Sequence, residues 1–197
     1  MNEQKPGDFT FDQLQTEHGP WAARNFGVRP SWMPALGIVE EAGELAHAEL
    51  SSATPEQADV RSALAVAMYA GRFAHAVLKT AQGIRGTRQQ HEDAAMEALS
   101  RLLAVALTYV TRIGRDHEFG ARVNALANTR MYEPDRTAED CADALADVTI
   151  FGSDYASAKG FNYGQLVEQT WAKVRTRDWK TDPQHGVTGG SAEQARP

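Results

Sequence analysis

Apolar residues recur along this chain at intervals of three and four, the period of a helix that buries one face. The pattern predicts a short helix over about 10–26, broken by Gly27-Val28-Arg29-Pro30. A second begins between Ser31 and Pro34 and carries Ile38, Ala42, Leu45 and Ala46 through Glu49. Ser51 to Glu56 punctuates. Thr54 is an N-cap residue type and Pro55 suits a first turn, so a long helix is expected from about Pro55 to Ala81. After a turn at Gln82 to Thr87, another long helix spans about Arg88 to Arg112, with Leu99, Leu102, Leu103, Val105, Ala106, Tyr109 and Val110 on it and a stop at Gly114. A shorter helix over Glu118 to Met131 ends at Glu133-Pro134-Asp135. Two more follow, Thr137 to Lys159, ending at Gly160, and Tyr163 to Arg177. Val148-Thr149-Ile150-Phe151 is β-like in composition, but the periodicity on both sides is helical. The expected fold is all-α, a helical bundle over about 9–180, with flexible ends at 1–8 and 181–197.

Two acidic clusters ride on these helices. Glu40-Glu41-Ala42-Gly43-Glu44 lies on the second, and Asp143-Ala144-Leu145-Ala146-Asp147 on the sixth. Helical spacing turns Glu41 and Glu44 the same way, with Glu40 close to that face, and puts Asp143 and Asp147 on one face. Two facing helices so loaded would crowd four or five carboxylates into a small volume, which is costly unless a cation neutralises them. All-oxygen sites suit Mg²⁺ or Mn²⁺, and Mg²⁺ commonly bridges to a substrate phosphate.

The chain also repeats itself. Gly43-Glu44-Leu45-Ala46-His47-Ala48-Glu49-Leu50 matches Gly71-Arg72-Phe73-Ala74-His75-Ala76-Val77-Leu78. Glu97-Ala98-Leu99-Ser100-Arg101 sits in a context like that of Asp143 to Asp147. In the second copies Arg72 stands for Glu44 and Arg101 for Asp147, cations where a metal needs oxygen ligands. The expectation is a degenerate internal duplication, with inserted or duplicated helices over about 51–130, in which one acid site survives and the other has decayed.

Bulk properties narrow the classes. At 197 residues, 42% hydrophobic and 23% charged, the chain has ordinary globular composition and is long enough for one domain with a core. A net charge of −6 argues against nucleic-acid binding by charge alone. The one cysteine, Cys141, excludes an intramolecular disulfide and is expected to be buried. The start, MNEQKPGDFTF, lacks an apolar signal core, and no run of about 18 apolar residues occurs. A cytoplasmic protein with neither membrane nor nucleic-acid partner is expected.

These residues resemble the all-α nucleoside triphosphate pyrophosphohydrolases of the MazG-like superfamily, whose members carry Glu-Glu-x-x-Glu on one helix and Glu-x-x-Asp on the next. The first motif is intact at Glu40 to Glu44, inside Leu36-Gly37-Ile38-Val39 and Leu45-Ala46-His47-Ala48. In the second, Asp147 matches the family Asp, Ala144 stands where the family has Glu, and Asp143 is the nearest substitute. Trp21 with Asn25-Phe26-Gly27, then Leu78 to Gly86, then Trp171 to Trp179 also look like MazG-like sequence. The resemblance covers about 18–180, with far more chain between the two motifs than the family usually has. It implies an enzyme, a hydrolase acting on acid anhydrides, that cleaves a nucleoside triphosphate between the α and β phosphates to monophosphate and pyrophosphate. Mg²⁺ (or Mn²⁺) would be the cofactor and the assembly a homodimer or an internal pseudo-dimer.

On that basis Glu41, Glu44 and Asp147 are the expected metal ligands and Asp143 a fourth. Glu40 is either a ligand or a base that orients water, with Glu41 the other catalytic candidate. Lys173 and Arg177, four apart, are expected to meet the phosphates, with Lys79 and Arg85 as weaker candidates. Trp21 and Asn25 could form a base pocket, or Trp21 and Phe26 could equally be core. His47 and His75 are read as packing histidines. No phosphate-binding Gly-x-x-x-x-Gly-Lys-Ser/Thr loop is present. The rival is a catalytically silent nucleotide-binding or regulatory protein, motivated by Ala144, Arg72 and Arg101.

Overall fold

The computed structural model describes residues 10–127 and 137–182. They form seven α-helices and, among the described residues, no strand: α1 (Phe11–Phe26), α2 (Trp32–Leu50), α3 (Ala58–Gln82), α4 (Arg88–Arg112), α5 (Asp116–Ala127), α6 (Ala138–Ala158) and α7 (Tyr163–Val174). The expected all-α class holds. The flexible ends, the stop at Glu133-Pro134-Asp135 and the last residues of the Glu118–Met131 helix lie outside the described residues.

The caps explain the boundaries. Thr10, Thr87 and Thr137 each accept from the backbone N–H three residues on and donate their own N–H to that residue's side-chain oxygen, at the starts of α1, α4 and α6. At Thr54 the N–H is held by Gln57 Oε1 at 2.9 Å, and Pro55–Gln57 forms a separate 3-10 turn. The helix expected from Pro55 therefore starts at Ala58. The last helix ends at Val174, three residues short of the expected Arg177.

The chain divides into two compact units. One holds α2 to α5. Its α2, α3 and α4 pack in sequential antiparallel pairs, with α3 in the middle. Glycine sets the closest approach. A Cβ on Gly43 would stand 2.6 Å from Gly71 Cα and 3.1 Å from the Ala67 carbonyl oxygen. A Cβ on Gly71 would stand 2.6 Å from Gly43 Cα and 3.0 Å from the Val39 carbonyl oxygen. The contact is reciprocal, because Val39 and Ala67 each precede their glycine by four residues. The two copies of the Gly-x-x-Ala-His-Ala repeat thus meet each other antiparallel, related by a local pseudo-two-fold axis.

On its other side α3 packs against α4, where Ala98 is buried, and Met68, Ala74 and Ala76 of α3 are buried as well. α4 is long and apolar enough, by length and composition, to cross a membrane. It carries the Arg101–Glu97 ion pair mid-length, lies along α3, and still exposes Met96, Leu99, Leu103 and Leu107. A bundle helix that is apolar on two faces has the same composition.

The other unit holds α1, α6 and α7. Its core is tryptophan. Trp21, Trp171 and Trp179 are all buried, and the Trp21 and Trp171 rings meet edge-on at 5.6 Å. Trp21 Nε1 donates to the Arg177 carbonyl at 3.0 Å and Trp171 Nε1 to Glu17 at 2.7 Å, so neither indole N–H is left unsatisfied. α6 is exposed along most of its length, Cys141 included, which corrects the expectation of a buried thiol.

The glycine contact makes a paired prediction. Gly43→Ala must push α2 off α3 and should destabilise by about 1–3 kcal/mol. Gly37→Ala meets only Leu78 Cδ2 at 4.0 Å, so it should stabilise by about 0.5–1 kcal/mol through helix propensity. Urea unfolding of the two variants against the parent measures both signs.

Candidate functional site

The first acid motif is split by the helix that carries it. Glu40, Gly43 and Ala46 share the face of α2 that meets α3, and all three are buried. Glu41 and Glu44 fall beside that face and are exposed. Glu40, only 8% exposed, is held at both oxygens. Oε1 lies 2.5 Å from His75 Nδ1, and Oε2 accepts from Lys79 Nζ at 3.4 Å. Both partners are on α3, one helical turn apart, so antiparallel packing across Gly43 and Gly71 brings them to one carboxylate. His75 is therefore a hydrogen-bonding partner as well as a packing residue. His47, its counterpart in the repeat, is exposed.

The electrostatics follow from this arrangement. Burial pushes the Glu40 carboxyl up, but the His75 hydrogen bond and the Lys79 charge outweigh it and leave Glu40 below the ordinary glutamate range. Glu41 is shifted the other way, by desolvation first and then by the charges of Glu44 and Glu40. Lys79, 7% exposed, is pulled below its ordinary value by burial, and nearby Arg85 adds to that, while Glu40 opposes it. The motif thus contains one carboxylate bonded directly to Lys79 and His75 and, beside it, Glu41, which those charges offset only in part.

Arg85 comes from the α3–α4 connection, where its φ of 61° is left-handed, flanked by Gly83 and Gly86. His91 Nε2 donates to the Ile84 carbonyl at 3.0 Å and pins the loop. A non-glycine residue in this region costs about 1–3 kcal/mol, so the surrounding contacts must hold it there.

Asp143 and Asp147 lie one turn apart on α6, both exposed, with Ala144 exposed beside them. Of the residues expected to bind substrate, Trp21 and Asn25 are spent on the tryptophan core. Asn25 Nδ2 donates to the Trp21 carbonyl at 3.0 Å, and its Oδ1 accepts from the Trp179 N–H at 2.5 Å. Phe26 completes the cluster, 5.7 Å from Trp21. A surface cleft of about 540 Å³ runs along this core, lined by Glu17, Pro20, Trp21, Arg24, Trp171 and Arg175 among others. Lys173 is exposed on α7. Arg177 lies beyond the end of that helix, its guanidinium 5.9 Å from the Trp179 ring, so helical spacing does not align it with Lys173.

No family model, curated protein or solved structure matches this chain. The chemistry is therefore argued from these side chains alone. Among the described residues, no group of three or more His, Cys, Asp or Glu is placed to hold a metal ion by itself. Glu41 and Glu44 still fit Mg²⁺, which is usually bound through one or two carboxylates plus substrate phosphates and water. The upward shift at Glu41 comes first from desolvation and then from the charges of Glu44 and Glu40, and a dication would offset the latter.

Two predictions follow from the division of the motif. Glu40→Ala strands the buried Lys79 and should cost about 3–5 kcal/mol, whereas Glu44→Ala at the surface should stay within about 0.5 kcal/mol. Chemical denaturation distinguishes them. For Glu41 the folded carboxyl titrates above its unfolded value of 4.5, so its ionised form burdens the fold at neutral pH. Without divalent cations, Glu41→Gln should raise Tm at pH 7 by about 1–3 °C. That gain should vanish as pH falls below the unfolded value, where both states are protonated, and melting curves from pH 3.5 to 7.5 read it directly.

Proposed function

We propose that the chain is a Mg²⁺-dependent nucleoside triphosphate pyrophosphohydrolase of the MazG-like kind. The observation that carries the reading is the split motif. Glu40 is bonded to partners within the fold, while Glu41 and Glu44 stand exposed and close together on α2, with Glu41 raised despite the nearby Lys79 and His75. The proposal assigns both to a divalent cation, completed by substrate phosphate and water. The cation, when bound, neutralises the polyphosphate and favours attack of water at phosphorus. Mn²⁺ satisfies the same oxygen ligands.

The protein's own contribution is placement. Glu40, tied to His75 and Lys79, holds α2 against α3 and so fixes where Glu41 and Glu44 project. It acts in this reading as a positioning residue. The reciprocal Gly43–Gly71 contact supports the internal pseudo-dimer as an alternative to a homodimer, and sedimentation of the intact chain separates the two. The second reading, a nucleotide-binding protein without turnover, is favoured by Ala144 in place of the family's Glu.

Pyrophosphate release from a panel of nucleoside triphosphates with Mg²⁺ tests the proposal. Turnover of at least one substrate is expected, with Glu44→Gln lowering it by about 100-fold or more. Turnover that survives Glu44→Gln, or folded protein that releases no pyrophosphate from any substrate, would overturn it. Mg²⁺ should also raise Tm by a few degrees at saturation, and the rise should disappear in Glu41→Gln/Glu44→Gln.

A further inference from the structure

The repeat superposes positions as well as residues. Aligning Gly43 with Gly71 puts Tyr69 at the place of Glu41 and Arg72 at that of Glu44. The second match puts Glu97 at the place of Asp143 and Arg101 at that of Asp147. In the structure these four side chains, two from α3 and two from α4, come together within one unit. The Arg72 guanidinium lies 5.4 Å from the centre of the Tyr69 ring. Arg101 is bonded to Glu97 Oε1 and reaches the Tyr69 side chain. The helices carrying the degenerate motifs therefore do pair, and the four residues at metal-ligand positions do converge.

Their chemistry has been inverted. Four carboxylate positions carry a formal charge of −4, whereas Tyr69, Arg72, Glu97 and Arg101 sum to about +1 at neutral pH. A cluster with this charge suits a phosphate without a metal ion. Guanidinium groups offer planar forks of N–H donors that match phosphate oxygens, and the phenol adds another donor. Stacking on Tyr69 restrains Arg72, so less freedom is lost when it binds. Arg72 and Arg101 are both exposed, and Glu97 is a surface partner that an incoming anion can displace.

We propose that the Tyr69–Arg72–Glu97–Arg101 cluster is a second ligand site, which binds a di- or triphosphate anion without a metal ion. It does not depend on turnover at Glu41 and Glu44, because the arginines supply the charge that the cation supplies there. The anion is either inorganic pyrophosphate or the phosphate tail of a nucleotide.

Calorimetric titration of the intact chain in EDTA separates these sources, one arm using inorganic pyrophosphate and the other a nonhydrolysable nucleoside triphosphate. Binding in the pyrophosphate arm identifies a diphosphate site, and binding in the triphosphate arm alone identifies a site that also reads the nucleotide. Either supports the proposal, provided Arg72→Ala/Arg101→Ala weakens it at least tenfold. Arg72→Lys/Arg101→Lys should lie between, since it keeps charge and loses the forks, and Glu97→Gln should tighten binding. Glu41→Gln/Glu44→Gln should leave it unchanged. Melting curves confirm that these surface variants are folded. No binding of either anion in EDTA, or binding indifferent to the arginine substitutions, would overturn the proposal.

Discussion

The organisation of the α2–α4 unit depends on one backbone contact, the approach of Gly43 to Gly71. Neither position has room for a methyl group, since a Cβ on either would lie 2.6 Å from the other's Cα. That closeness fixes the register of α2 along α3. Gly37 then faces Leu78, Glu40 faces His75 and Lys79, and the end of α2 reaches Arg61, whose guanidinium donates to the Ala53 carbonyl at 2.7 Å. Sliding one helix by a turn would part Glu40 from Lys79 and leave two buried charges uncompensated, which is far costlier than any apolar mismatch. Steric and electrostatic terms therefore select the same register.

That register gives the five-residue acid motif two jobs. Glu40, Gly43 and Ala46 recur at intervals of three and belong to the helix interface. Glu41 and Glu44 recur at the same interval, one position on, and belong to the surface. A run of glutamates that looks uniform in sequence is, once folded, one anchored carboxylate and two available ones. The anchor is what keeps the available pair from drifting, because Glu41 follows the anchored Glu40 directly and Glu44 follows the close-packed Gly43.

Helical periodicity, cap residues and breakers carried most of the fold. Thr10, Thr87 and Thr137 mark helix starts visibly, and Gly83 and Gly160 mark stops. The site was less legible, for a physical reason: partners come from register, which one helix does not encode. Lys79 and His75 look like ordinary residues on an apolar helix until α2 is laid antiparallel against them. Two glycines at equivalent places in a repeat were the available signal, since they mark where backbones can meet, and from there the Glu40 contacts follow by counting. Asn25 misleads for the opposite reason. An amide four residues from a tryptophan looks like a base reader, but both its ends are consumed in closing the tryptophan core. Cys141 was assigned to the interior by residue type, yet α6 exposes most of its length.

The repeated segments show how one electrostatic problem can be resolved in different ways within a single unit. Carboxylates set three and four apart on a helix repel one another, and the repulsion grows as the helix is desolvated. At Glu40 the relief is internal: a buried lysine and a histidine supply the counter-charge, at the expense of removing that carboxylate from any ligand. At Glu41 the same lysine and histidine offset it only in part, and desolvation with the charges of Glu44 and Glu40 leaves that carboxyl raised. At the equivalent positions on α3 and α4 the acids are gone, replaced by Tyr69, Arg72 and Arg101, and the surviving acid, Glu97, is paired with one of the replacements. Loss of a metal site would by itself require only neutral residues there. Two guanidiniums on one phenol are more charge than neutralisation demands, since Glu97 cancels only one of them. That surplus of positive charge on α3 and α4 contrasts with the acidic surface that Glu41 and Glu44 give α2.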